Sequence, residues 1–218
     1  MEKNTHIKAV IFDLDGTLLN TLYDLTDAVN CALEKYGQPP RSLEEVRAFV
    51  GNGLRNLMLQ AVPNGDKNPV FEELFVFFRE YYKTHCNIKT APYEDILSLM
   101  EELNKRHIKM AIVSNKIDSG VKELNKIHFS EYVEVAIGER EGISRKPAPD
   151  SVNEALRMLD VDKENAVYVG DSDVDIQTAE NAGVGCISVT WGFRDEDFLK
   201  EQGAKILIHR PLELLHYI

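Results

Sequence analysis

The sequence predicts an α/β fold: a doubly wound parallel sheet, Rossmann-like in its core, interrupted early by an inserted all-helical domain. Three observations carry this expectation. The apolar run Ala9–Phe12 is short and continuous, as a strand buried on both faces requires, and it stops at Asp13-Leu14-Asp15-Gly16-Thr17. From there to about residue 90 the periodicity is helical throughout. From Thr90-Ala91-Pro92 onward, helix and strand patterns alternate, which implies parallel strands joined by crossover helices. The expected organisation is an α/β core of residues 1–19 and 91–218 and a helical domain of residues 20–90, with a two-strand hinge where the chain crosses.

The elements follow in order. Leu22, Leu25, Val29, Ala32, Leu33 and Tyr36 recur at helical spacing, with Thr21 and Asp24 as a capping box and Gly37, Pro39 and Pro40 as the stop. Ser42 and Glu45 form a second capping box over Leu43, Val46 and Val50. After Gly51-Asn52-Gly53, the positions Leu54, Leu57, Met58, Ala61 and Val62 fit a third helix. Asn68 and Pro69 are expected to start a long helix striped with Phe71, Leu74, Phe75, Phe78 and Tyr82, an apolar face suited to a bundle core. A helix over Ile96–Leu103 leads to the strand Met110–Ser114. Strands at Val133–Ile137, Val167–Gly170, Val184–Val189 and Ile206–Ile208 alternate with helices at Val152–Leu159 and Ile176–Ala182.

Charge and cysteine content narrow the function. With 25 basic and 36 acidic residues the formal charge is -11, which argues against nucleic-acid and membrane-surface partners. Cys31, Cys86 and Cys186 are widely spaced, odd in number and without a C-x-x-C pair, as expected for packing residues in a reducing, cytoplasmic setting. No signal peptide or membrane span is predicted, because the apolar run at Ala9–Phe12 is short and ends in acids. The six histidines (His6, His85, His107, His128, His209, His216) share no metal-ligand spacing.

Strand geometry puts Asp13 and Asp15 on one side of the chain. Carboxylates so close repel unless a cation lies between them, and Mg²⁺, which takes hard oxygen ligands together with phosphate, is the natural one. Gly16 and Thr17 can offer backbone N–H groups as an anion nest. Ligands of open parallel sheets bind beyond the carboxyl ends of strands, so polar residues at other strand ends belong to the same reading. These are Ser114-Asn115-Lys116, Lys146-Pro147-Ala148-Pro149, and Gly170-Asp171-Ser172-Asp173-Val174-Asp175. The last lacks the spacing and terminal Glu of a calcium loop.

Asp13-x-Asp15-Gly16-Thr17, Ser114-Asn115, Lys146-Pro147 and Gly170-Asp171-x-x-x-Asp175 together resemble the four ordered motifs of the haloacid dehalogenase-like hydrolases, and the helical insert resembles a cap domain of that superfamily. Asp24-Leu25, Val46-Arg47-x-x-Val50-Gly51-Asn52-Gly53 and Val189-Thr190-Trp191-Gly192-Phe193 resemble phosphoglycolate phosphatases. Glu94-Asp95 departs from the family, where a Pro-Gly turn is common.

The resemblance implies a Mg²⁺-dependent phosphatase working through an aspartyl-phosphate. Asp13 would be the nucleophile, Asp15 the general acid and base, and Lys146 the residue balancing carboxylate charge. Thr17, Ser114 and Asn115 would hold phosphate oxygens. Mg²⁺ would take Asp13, the main-chain carbonyl of Asp15 and Asp171, with Asp175 behind them. Asn52 and Arg55 of the cap would set specificity, Arg55 by meeting a substrate carboxylate. The partner expected is a small phosphorylated metabolite, 2-phosphoglycolate first, acted on by a monomer or weak homodimer. The alternatives are a sugar-phosphate mutase, using the same phospho-aspartate, and a phospho-accepting signalling receiver, which shares clustered Asp, Thr or Ser, and Lys.

Overall fold

The computed structural model describes residues 7–51 and 53–218; His6 and Asn52 lie outside the described residues. The chain divides into two compact units, one running to Leu19 and resuming at Pro92–Ile218, the other spanning Asn20–Ala91. Strand β1 (Ala9–Phe12) opens the first unit; β2 (Leu19–Asn20) leaves it, and β3 (Ala91–Pro92) returns beside β2 in a two-stranded ladder.

Among the described residues the second unit holds four α-helices: α1 (Leu22–Lys35), α2 (Leu43–Phe49), α3 (Gly53–Ala61) and α4 (Phe71–His85). Their apolar faces bury Leu25, Val29 and Leu33 of α1 and Phe71, Leu74 and Phe78 of α4, as the periodicity requires. Ser42 and Glu45 form the expected capping box. Thr21 and Asp24 do not. Thr21 makes no side-chain cap bond, and Asp24 is buried, accepting the backbone N–H groups of Ile88, Lys89 and Thr90 at 2.9–3.0 Å. Three successive amides at the end of the unit need an acceptor, and a carboxylate satisfies several at once. Helix α4 begins at Phe71 rather than Pro69, because Asn68 folds into a turn: its side chain accepts from Val70 N–H and donates to Pro63 O and Gln38 Oε1.

The first unit continues through α5 (Ile96–Lys105), β4 (Lys109–Ile117), α6 (Asp118–His128), β5 (Val135–Glu139), α7 (Asp150–Leu159), β6 (Ala166–Gly170), α8 (Asp173–Ala182), β7 (Gly185–Val189), α9 (Glu196–Glu201) and β8 (Leu207–Ile208). Asp95, the departure from the family's glycine turn, caps α5 at φ 63°, a left-handed conformation that Asp tolerates better than most side chains.

Six parallel strands pair in the order β5-β4-β1-β6-β7-β8. Val10, Phe12, Ile112, Val167 and Val169 pack on one face against Leu99, Met100 and Leu103 of α5 and Val121 and Leu124 of α6. Small and branched residues of the other face, Ala9, Ile11, Ala111 and Val113, pack against α7 and α8 with Tyr168. Burial on both sides explains why these strands read as continuous apolar runs. From β1 the chain builds outward through β4 and β5, then returns to the other side of β1 for β6, β7 and β8. The winding direction therefore changes between β1 and β6, and the crevice beyond their carboxyl ends is where such sheets bind ligands. Among the described residues no helix is long and apolar enough to cross a membrane.

Candidate active site

Strand β1 delivers Asp13 to the change-over point, its N–H donating to Val169 O of β6 at 2.9 Å. The chain then turns back sharply, with Leu18 and Leu19 N–H both donating to Leu14 O. Gly16 sits in this turn at φ 93°, and a Cβ there would lie 2.4 Å from Asp171 Oδ2, so only glycine lets the β1 loop approach the β6 loop. The expected nest is half absent: Gly16 N–H is committed to Leu19 O at 2.9 Å. Thr17 is buried, and its hydroxyl donates to Asp171 Oδ1 at 3.2 Å.

Strand β6 ends at Gly170, where a Cβ would lie 2.4 Å from Asp175 Cβ. Ser172 then caps α8 in a box with Asp175. Asp175 Oδ2 accepts from Ser172 N and Oγ at 3.1 and 2.6 Å, while its Oδ1 accepts from Lys146 Nζ and the Tyr168 hydroxyl, both at 2.8 Å. Lys146 Nζ also donates to Asp13 Oδ1 at 2.6 Å and to Tyr168 Oη at 3.0 Å. The lysine's backbone is gripped by Asn115, whose Oδ1 accepts from Lys146 N and whose Nδ2 donates to Lys146 O, at 2.8 and 3.0 Å. The Lys146–Pro147 peptide is cis. Asn115, expected on phosphate, thus spends its amide on the loop that carries the lysine.

Ser114 is buried at the end of β4, its Oγ accepting from Lys116 N at 3.2 Å. The Asp15 carboxylate stands apart from the other acids, 3.3 Å from Lys116 Nζ. The loop after β7 closes the remaining side. Trp191 Nε1 donates to Thr17 O at 3.0 Å, Phe193 N–H donates to Asp171 Oδ2 at 2.7 Å, and a Cβ on Gly192 would lie 2.3 Å from Asp171 Cβ.

Asp13, Asp171 and Asp175 are all buried, and one carboxylate oxygen of each lies within 4.8 Å of the others. Burial, with Asp175 and Asp171 nearby, pushes the Asp13 carboxyl well above the usual range despite Lys146. Burial and then Asp175 push Asp171 up to about 7. Burial by itself would lower the Lys146 ammonium, but Asp13 and Asp175 hold it above the usual lysine range. Burial and the same acids keep the Tyr168 phenol protonated. One ammonium therefore faces three carboxylates, and a divalent cation fits that imbalance and that all-oxygen donor set. Asp13 and Asp171 are suited to hold it; Asp175 accepts four hydrogen bonds from Lys146, Tyr168 and Ser172, against a single one on each oxygen of Asp171.

Tyr168 is the site residue that sequence reasoning passed over. Its hydroxyl inside the run Ala166-Val167-Tyr168-Val169 was the available sign, since a buried phenol needs a partner. In the helical unit, Arg55 is exposed and already engaged by Glu72 through both terminal nitrogens, with its guanidinium 5.1 Å and 5.2 Å from the Phe71 and Phe75 ring centroids.

The sequence profile of the haloacid dehalogenase-like hydrolases matches residues 10–189. The phosphoglycolate phosphatase of Neisseria meningitidis is 32% identical over 204 residues, 91% of this chain and 87% of that protein. That of Aquifex aeolicus is 30% identical over 96% of this chain and 95% of its own length. A crystal structure from Lactobacillus delbrueckii subsp. bulgaricus, solved as a candidate phosphoglycolate phosphatase, superposes with a TM-score of 0.92 at 36% identity, covering 96% of this chain and 97% of that one.

Proposed function

The chain belongs to the haloacid dehalogenase-like hydrolases and is a phosphoric monoester hydrolase, and we propose that it dephosphorylates 2-phosphoglycolate through an aspartyl-phosphate on Asp13. The observation that carries this reading is the buried cluster of Asp13, Asp171 and Asp175 bridged by Lys146 at the end of β1. The Neisseria meningitidis and Aquifex aeolicus relatives, matched over 87% and 95% of their own length, are phosphoglycolate phosphatases, which supports the small phosphorylated substrate. Free thiols at Cys31, Cys86 and Cys186 suit a reducing, cytoplasmic setting.

In this reading Lys146 pins Asp13 Oδ1, leaving Oδ2 to attack phosphorus in line while the bond to the leaving alkoxide breaks. Asp15 gives that alkoxide its proton and then takes one from the water that hydrolyses the phospho-aspartate, returning Asp13 and releasing phosphate. Asp13, Asp171 and the Asp15 main-chain carbonyl would hold Mg²⁺, which would supply positive charge for the phosphoryl oxygens. Ser114 and the Thr17 backbone receive phosphate oxygens. Thr17 Oγ1 and Phe193 N–H orient Asp171, Trp191 holds the Thr17 main chain, and Asn115 and Tyr168 position Lys146.

Phosphate release across a panel of phosphorylated metabolites, with Mg²⁺ and with EDTA, tests the reading. We expect the highest kcat/KM on 2-phosphoglycolate, turnover only with Mg²⁺, and none in Asp13→Asn. Turnover retained in Asp13→Asn would refute the nucleophile, and a hexose 1-phosphate isomerised without phosphate release would instead indicate a mutase.

A further inference from the structure

The ammonium of Lys146 carries three hydrogens, and all three are taken: by Asp13 Oδ1 at 2.6 Å, Asp175 Oδ1 at 2.8 Å and Tyr168 Oη at 3.0 Å. A lysine only donates, so the phenol accepts from it, and the phenol's own hydrogen goes to Asp175 Oδ1 at 2.8 Å. Of the three acceptors only the phenol is uncharged. We propose that Tyr168 is a positioning residue for the second half of the reaction: it keeps Lys146 on Asp13 Oδ1 while Asp13 carries the phosphoryl group, and so speeds hydrolysis of the phospho-aspartate. The inference rests on the phosphatase reading above and assigns one step of it to a residue outside the four sequence motifs.

The two halves make different demands on the lysine. Before transfer, Asp13 is a carboxylate and holds the ammonium by its own charge. Once Oδ2 is bonded to phosphorus, Oδ1 is a neutral carbonyl, and the charged phosphoryl oxygens become the stronger acceptors nearby. An ammonium that turned to them would stabilise the phosphoenzyme, the ground state of the second step. Hydrolysis needs the opposite. Water attacks phosphorus and gives a proton to Asp15, the bond from phosphorus to Oδ2 breaks, and its electron pair returns to the Asp13 carboxylate, which shares the charge with Oδ1. A donor kept at Oδ1 meets that charge as it forms.

The fold fixes the phenol for this task. Tyr168 is fully buried on β6, paired in register with Ile11 of β1, two residues before Asp13. Strand alternation puts Ile11 and Asp13 on one side of β1, so a long side chain at the Tyr168 position reaches toward the strand end. Its ring packs in the cluster of Ile11, Val113 and Ala179, with the centroid 5.7 Å from Lys146 Nζ. Only two torsions have to be held to aim the hydroxyl. Asp175, the other anchor, is itself fixed by Ser172 N and Oγ. Together they hold the ammonium without the charge of Asp13.

The test is Tyr168→Phe, which keeps the ring and removes the acceptor. Enzyme labelled by radiolabelled 2-phosphoglycolate is chased with unlabelled ester, and loss of label from the protein is followed by rapid quench. The label should leave about tenfold more slowly than from wild type, the scale of one hydrogen bond to a charged group. Because kcat/KM reports only the steps up to phosphorylation, it should stay within about threefold of wild type while kcat and KM fall together. A merely structural defect would lower kcat/KM as well. Installing 4-aminophenylalanine at position 168, which restores a polar group on the same ring, should recover part of the decay rate. Decay at the wild-type rate in Tyr168→Phe, or a loss of kcat/KM as large as the loss in decay rate, would overturn the assignment. A wild-type protein that releases phosphate from no ester would overturn the phosphatase reading itself, and this assignment with it.

Discussion

Lys146 Nζ lies 2.6 Å from Asp13 Oδ1, joining residues 133 positions apart in a pair closed to solvent. The same nitrogen reaches Asp175, so one buried cation serves two buried anions. Removing one partner of such an arrangement leaves uncompensated charge, a loss of about 3–5 kcal/mol in comparable buried pairs. Lys146→Met should therefore unfold at markedly lower urea concentration at neutral pH in EDTA, and should lose turnover with Mg²⁺ present. Lowering the pH toward 5 should recover part of the stability, because protonated carboxylates no longer need the ammonium. Wild-type-like unfolding of Lys146→Met at pH 7 would contradict this account.

The carboxyl of Asp171, raised to about 7 from an ordinary 3.8, links stability to pH with a definite sign. Between those values the folded protein binds a proton that the unfolded chain does not, so stability falls as pH rises. Asp13, shifted in the same direction, adds to the trend. In EDTA the thermal midpoint should be higher near pH 5 than at pH 7.5, the difference corresponding to a few kcal/mol. Added Mg²⁺ should stabilise most at the higher pH, where it binds ionised carboxylates rather than displacing protons. A Mg²⁺-induced shift equal at both pH values would count against Asp13 and Asp171 as its ligands.

Gly192 faces Asp171 too closely for a side chain: a Cβ would lie 2.3 Å from Asp171 Cβ and 2.4 Å from Gly16 O. Gly192→Ala must push the loop away and with it the Phe193 N–H that fixes Asp171 Oδ2. We expect kcat/KM to fall at least tenfold and the Mg²⁺ concentration for half-maximal rate to rise, while far-ultraviolet circular dichroism stays that of the folded protein. Titration of activity with Mg²⁺ reads both effects.

The doubly wound sheet was legible because apolar runs such as Val10–Phe12 and Val167–Val169 report burial on both faces, and each polar cluster follows such a run. The meeting of Asp13 with Asp171 was legible from strand ends. Side-chain pairing was not. Thr21 and Asp24 have the spacing of a capping box, yet Asp24 serves amides more than sixty positions away, a demand no local pattern displays. Asn115 looks like a phosphate donor until the Lys146 backbone arrives to occupy it. Tyr168 reads as one more bulky strand residue, and its role depends on an ammonium delivered from another loop.

Asn20 and Ala91, the two ends of the helical unit, belong to paired strands, and Asp24 ties the first helix to the last residues before the exit. Entry and exit therefore coincide in space. An excursion tethered this way is a cassette: another segment of any length could be spliced between the same two strands and leave the sheet's connectivity intact. Evolution can thus rewrite the inserted segment at the pace of new substrates while the phosphoryl-transfer machinery stays fixed.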